Sequence, residues 1–184
     1  MGNTLRVRRP IAELAAKGQV IEIAEKIGNF ERLAGIVEAD LATLDPDKIP
    51  HDWRDSMVTG WLEFGFADAQ KQVVSLVGEL AVTLDAVCQR CLEPFRLSLA
   101  TGLRLLPTTV EQGVSAGNDF EPWELEDERV CPAEIVEEVL IMAMPLSAMH
   151  ENSAACKGYE PADEEAQQTT RPFAALKAQL DQDK

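Results

Sequence analysis

The chain has 184 residues, 46% of them hydrophobic and 27% charged, with a formal net charge of −15. That apolar content supports a packed core and excludes wholesale disorder, and the length suits one domain or one domain with a tail. So large an excess of acid repels phosphate, which excludes a general nucleic-acid binder and favours a basic protein partner.

The opening MGNTLRVRRPIAEL is charged and has no apolar stretch of the kind a secretory signal requires. It carries a small basic group, Arg6, Arg8 and Arg9, that could touch RNA locally. Next, RPIAELAAKG predicts a short helix, with Pro10 suited to its first turn and Gly18 to its stop. In QVIEIAEK, Val20, Ile21 and Ile23 among polar residues predict a strand. NFERLAGIVEADLATL predicts a helix capped by Asn29, with Phe30, Leu33, Val37, Leu41 and Leu44 on one face. DPDKIPHDW breaks it.

A β-rich centre follows. MVTGWLEFGF puts Val58, Gly60, Leu62, Phe64 and Phe66 on one face. KQVVSLVGELAVTLDAVC is long and β-branched, and Gly78 within it predicts a bulge or sharp bend. PFRLSLATGLRLLP alternates Phe95, Leu97 and Leu99 with Arg96, Ser98 and Ala100. Three such segments with short links predict an antiparallel meander.

VEQGVSAGNDFEP reads as a polar loop and WELEDERVC as one further strand. CPAEIVEEVLIMAMP predicts a helix with Pro132 in its first turn. It would pack Ile135, Val136, Val139, Leu140 and Ala143 inward and leave Glu134, Glu137 and Glu138 as a solvated acidic face. The apolar run from Val139 to Met149 is too short to span a bilayer and is broken by Pro145. CKGYEPADEEAQQTTRP reads as a mobile linker. PFAALKAQL reads as a closing helix with Phe173, Leu176 and Leu180 on one stripe. The expected division is a domain over 1–155 and an acidic linker with its helix over 156–184.

The segment VCQRCLEPF carries a C-x-x-C pair, Cys88 and Cys91. A redox pair belongs at the start of a helix that follows a strand, where the dipole lowers a thiol pKa. Here the pair lies between two β-patterned segments with Pro94 after it, which argues against that use. Zinc takes four N or S ligands, two of them from such a turn. His150 and Cys156, five residues apart in MHENSAACKG, supply a second pair and complete a Cys₃His set. The competing reading is two buried thiols at a turn and a surface histidine. Cys131 reads as a packing residue at a helix start and His51 as a surface residue. The two histidines form no nucleophile–base pair with a serine or cysteine, and no glycine-rich phosphate loop occurs.

Four blocks, VTLDAVCQRCLEPF, DFEPWELEDERV, EIVEEVLIMAMPLSAMHENSAAC and RPFAALKAQL, resemble the YceD family of large ribosomal RNA subunit accumulation proteins. The resemblance covers most of the chain after about Val58. It implies a bacterial cytoplasmic protein involved in the accumulation of large-subunit rRNA, with no known catalytic activity, whose gene commonly neighbours one for a large-subunit ribosomal protein. Some relatives carry a Cys-Lys-Gly-Leu-Cys run where this chain has Cys156, Lys157 and Gly158; here Tyr159 and Glu160 stand where the second cysteine would be.

The sequence therefore predicts an α+β fold: a curled, mostly antiparallel sheet, a partial barrel, flanked by helices. It predicts a non-enzymatic factor in large ribosomal subunit biogenesis with one structural zinc ion. The partner would be a basic ribosomal or rRNA-processing protein, met by Arg90, Glu134, Glu137 and Glu138. Contact with rRNA would be limited to Arg6, Arg8, Arg9, Arg90 or Arg96. The alternatives are an RNA-processing or modifying enzyme subunit, or a zinc-binding regulatory module unrelated to ribosomes.

Overall fold

The computed structural model describes residues 4–108, 119–125, 127–152 and 155–156. Its strands and helices follow the hydrophobic periods closely. A short strand β1 (Arg9–Pro10) leads into α1 (Ile11–Ala16), β2 (Val20–Lys26) and α2 (Glu31–Leu41). Two 3-10 turns, at Pro46–Lys48 and Trp53–Asp55, fill the Pro- and Asp-rich break before β3 (Met57–Phe66). Then come β4 (Val74–Val87), β5 (Pro94–Thr108), β6 (Glu121–Glu124), β7 (Arg129–Val130) and α3 (Pro132–Ala143).

Five strands form one mixed, mostly antiparallel sheet in the order β2-β3-β4-β5-β6, open at both edges rather than closed. The meander β3-β4-β5 is antiparallel as expected, and only β5–β6 is parallel. The expected single strand over WELEDERVC is instead two short ones in different sheets. β6 extends the main sheet, and β7 pairs with β1, which the sequence reading missed. Two-residue strands carry no period to read.

The core lies between one sheet face and the helices. Val58, Leu62 and Phe64 of β3, Leu76, Leu80 and Leu84 of β4, and Leu33, Val37 and Leu41 of α2 are all buried. Each such side chain contributes about 1.5–3 kcal/mol relative to an exposed one. Gly78 does not mark a bulge, because both ladders run through it without a break. It is glycine for space: a Cβ there would lie 2.5 Å from the Trp61 carbonyl oxygen. Gly60 is tighter still, with φ +150 and only 2.1 Å from such a Cβ to the Glu79 carbonyl oxygen.

Asn29 is not the cap of α2. It closes a 3-10 turn, its amide donates to Glu25 at 2.6 Å, and Phe30 occupies the cap position with no side-chain bond. The missing cap comes from α3, where the Glu137 carboxylate accepts a 2.9 Å hydrogen bond from the Leu33 backbone N–H. Glu137 is accordingly buried, at 8% exposure, which corrects the expectation that it shares a solvated face with its neighbours. Glu134 and Glu138 are exposed or half-exposed, but each is held in an ion pair, to Arg8 at 2.7 Å and to Arg32 at 2.7 Å. Helical spacing alone cannot tell an acid facing water from one facing the open end of another helix.

Candidate metal centre

The C-x-x-C turn joins the two longest strands. Val87 ends β4, Pro94 begins β5, and between them the Leu92 N–H donates to the Cys88 carbonyl at 2.8 Å. The Cys88 N–H in turn donates to the Glu93 carbonyl at 3.0 Å. Leu92 takes the left-handed conformation, φ 57, that reverses the chain in so short a span. From the α2 side, Asp40 accepts from the Val87 N–H at 2.8 Å and Lys48 pairs with Glu93 at 2.7 Å. The turn is thus fixed before its thiols meet any ligand.

The second pair arrives from beyond α3. That helix stops before Pro145, and the following segment runs back to the turn, where the Ala148 carbonyl accepts from the Gln89 N–H at 2.8 Å. His150 packs its ring against Phe95, with centroids 4.7 Å apart and a tilt of 38°. Cys88, Cys91, His150 and Cys156 then offer one ligand atom each, all within 4.8 Å of one another. The measured edges are 3.9 Å from Cys88 Sγ to Cys156 Sγ, 3.7 Å from Cys91 Sγ to His150 Nδ1 and 3.4 Å from Cys156 Sγ to His150 Nδ1. A zinc ion with Zn–S of about 2.3 Å and Zn–N of about 2.05 Å would give tetrahedral edges of about 3.8 Å (S–S) and about 3.6 Å (S–N). The donor set suits a tetrahedral metal, and the three measured edges lie within a few tenths of an ångström of those of such a site.

The electrostatics are those of a thiolate site. Burial pushes the Cys88 thiol up, but hydrogen bonds from the backbone of Cys91, His150 and Arg90 and from the His150 side chain more than offset it, bringing it down to about 5. Burial raises the Cys156 thiol, and hydrogen bonds to Cys88 and Cys91 with repulsion from the same two raise it further. A cation bound among them removes that repulsion. The Arg90 guanidinium lies 3.9 Å from Cys156 Sγ and 3.7 Å from Met149 Sδ. Three thiolates around a divalent ion would leave one net negative charge, which Arg90 is placed to balance. Cys131, as expected, stands apart: it is buried at the α3 cap position, with Sγ 3.6 Å from the Leu5 carbonyl. His51 is exposed.

The large ribosomal RNA subunit accumulation protein YceD family model matches residues 76–180, more than half of the chain and all four ligands. The chain belongs to the YceD family. A curated YceD relative, the large ribosomal RNA subunit accumulation protein of Haemophilus influenzae, is 33% identical over 129 residues, which is 66% of this chain and 72% of the relative. No solved structure matches. No helix among the described residues is long and apolar enough to cross a membrane.

Of the residues expected to meet partners in this YceD-family chain, Arg90 sits against the sulfur cluster and the three glutamates are engaged within the fold, as described above. Three of the arginines expected to touch rRNA are also engaged, whereas Arg9 is half-buried with its Nε and Nη2 lacking a hydrogen-bond partner among the described residues. Arg6 bonds the Asn29 carbonyl and stands over the Phe30 ring, Arg8 holds Glu134, and Arg96 pairs with buried Asp85 at 3.3 Å. The expected linker and closing helix over 157–184 lie outside the described residues. The sequence reading missed Phe95 as the support of His150. Its position four residues after Cys91 was the available signal.

Proposed function

We propose that this protein is a non-enzymatic factor in the accumulation of large-subunit rRNA, built around a structural zinc ion and acting through a basic protein partner. The observation that carries this reading is that the matched family region contains the whole Cys88–Cys91–His150–Cys156 cluster. Three thiolates and an imidazole suit zinc over harder cations. A four-ligand site leaves no position open for substrate, which supports a structural rather than catalytic ion. The ion would tie the segment after α3 to the β4–β5 turn. A cytoplasmic location follows from that role.

The test has a chemical and a cellular arm. Purification without chelator should give about one zinc per chain. Chelation should then lower the melting temperature, and Cys88→Ser should remove both the metal and the chelator response. In cells lacking the gene, the ratio of large- to small-subunit rRNA should fall. The wild-type gene should restore it, and Cys88→Ser with Cys91→Ser should not. A zinc content near zero with unchanged melting defeats the metal reading. A normal rRNA ratio in the deletion strain defeats the functional one.

A further inference from the structure

We infer that the open face of the sheet, opposite the helices, is where the basic partner docks, and that Trp61, framed by Glu22, Glu63 and Glu79, receives an arginine side chain of that partner. This deepens the functional reading above and rests on it for the partner's existence.

The strand register puts these groups on one surface. Glu22 of β2, Trp61 of β3, Glu79 of β4 and Gly102 of β5 pair in one cross-strand row. The row on one side of it is small throughout, with Ala24, Thr59, Ala81 and Ala100. The row on its other side is Val20, Glu63, Val77 and Arg104. Strand alternation sends all three rows to the same side, while the intervening Leu62, Leu80 and Leu103 are buried in the core. Glu22, Thr59, Glu79, Ala81, Ala100 and Gly102 are exposed and Trp61 is half-buried, so no helix among the described residues lies over this face. A depression of about 400 Å³ follows the Trp61 row and the small row. Its small side chains leave the sheet low beside the larger indole, and a guest chain can lie flat there.

Chemistry selects the occupant. Directly opposed side chains on neighbouring strands lie about 5 Å apart, so Glu22 and Glu79 flank the indole from both sides. Glu63 follows it two residues along β3. Among the described residues none of these three carboxylates makes a hydrogen bond or an ion pair. Arg104, the cation of the row that holds Glu63, stands instead over the Phe120 ring at 4.8 Å. An indole face attracts cations, and a guanidinium can stack on it while its N–H groups reach carboxylates at the ring edge. Other occupants fail on the same grounds. A purely apolar segment would bury the carboxylates unpaired, and a phosphate backbone would be repelled by them. A second copy of this face would set glutamates against glutamates.

The probe is a short labelled peptide in which arginine alternates with serine, followed by fluorescence anisotropy with the full chain at physiological salt. Controls are the same peptide with lysine or glutamate at the arginine positions and a labelled single-stranded oligoribonucleotide. The arginine peptide should bind most tightly. Glu22→Gln with Glu79→Gln should weaken it about 5-fold or more. Glu31→Gln with Asp47→Asn, an equal change in net charge at and after α2, should stay within about 2-fold of wild type. Trp61→Leu, which leaves charge unchanged, should weaken binding about 2- to 5-fold and erase the preference for arginine over lysine. Trp61→Phe, which keeps an aromatic face, should lose less, and circular dichroism should show every variant folded. Equal weakening by both neutralised pairs would mean that net charge, not this face, attracts the peptide, and would overturn the inference. Unchanged binding by Trp61→Leu, or tighter binding of the oligoribonucleotide than of the peptide, would overturn it too. A normal rRNA ratio in the deletion strain would remove the functional reading while leaving these binding results to decide the face.

Discussion

Replacing Glu137 with alanine takes away the one side chain that, among the described residues, caps the N-terminus of α2. The Leu33 N–H, buried at the third position of that helix, loses a 2.9 Å bond to a carboxylate. A buried donor left without a partner costs about 1–3 kcal/mol. A negative charge at a partly buried helix N-terminus adds up to about 2 kcal/mol. Removing the buried carboxylate also relieves its own desolvation, which offsets part of both. A net loss of about 2–3 kcal/mol is expected, or about 5–10 °C in melting temperature for a chain of this length. Glu137→Gln keeps an acceptor oxygen and loses the charge, so it should cost about half as much. Glu137→Lys should be worse than alanine, because it buries a cation against the positive end of the helix. Urea denaturation followed by circular dichroism measures all three. Alanine within about 0.5 kcal/mol of wild type, or glutamine as damaging as alanine, would refute the capping argument.

Leu92→Gly should stabilise the protein by about 0.5–1 kcal/mol, since the left-handed conformation strains leucine by about 1–2 kcal/mol and glycine's chain entropy returns part of that. A fall in the urea midpoint would contradict it. Gly60→Ala should cost about 3 kcal/mol or more, because a Cβ would meet the Glu79 carbonyl oxygen at 2.1 Å, whereas Gly102→Ala should be nearly neutral. Comparable midpoints for the two variants would count against the packing account. Burial raises the Asp85 carboxyl above the usual range, with Arg96 pulling it back only in part and Asp52 adding to the rise. The folded state therefore holds this proton more tightly than the unfolded one. The group's contribution to stability is full below the unfolded carboxylate range and is lost as pH rises through the folded value. Relative to wild type, Asp85→Asn should gain stability as pH rises above the usual carboxylate range; a relative loss would show that the Arg96 ion pair dominates.

Sequence periodicity read the sheet well, because alternation over ten or more residues leaves only one face to bury. Val58, Leu62 and Phe64 on β3 and Leu80, Val82 and Leu84 on β4 left little choice of element type. That Cys88, Cys91, His150 and Cys156 come together was legible for a different reason: thiols and imidazoles are few, and only one combination paired a turn with a second half at suitable spacing. What failed were judgements about partners distant in sequence. Asn29 had the chemistry of a cap, but the cap came from 104 residues away as Glu137. Gly78 had the look of a bulge, but the constraint was the neighbouring strand's backbone.

The cluster also sets an order of events during synthesis. Cys156 follows Cys88 by 68 residues, and the stretch between them encodes β5, β6, β7 and α3. At roughly 5–20 residues per second, the turn thiols wait several seconds for their counterparts to be made. Through that interval the half-site is a thiol pair on a hairpin that is already folded. With zinc bound as proposed, ion capture would be the closing step of the fold rather than its nucleus, and a cell short of zinc would accumulate chains whose sheet is complete while the segment after α3 stays untied.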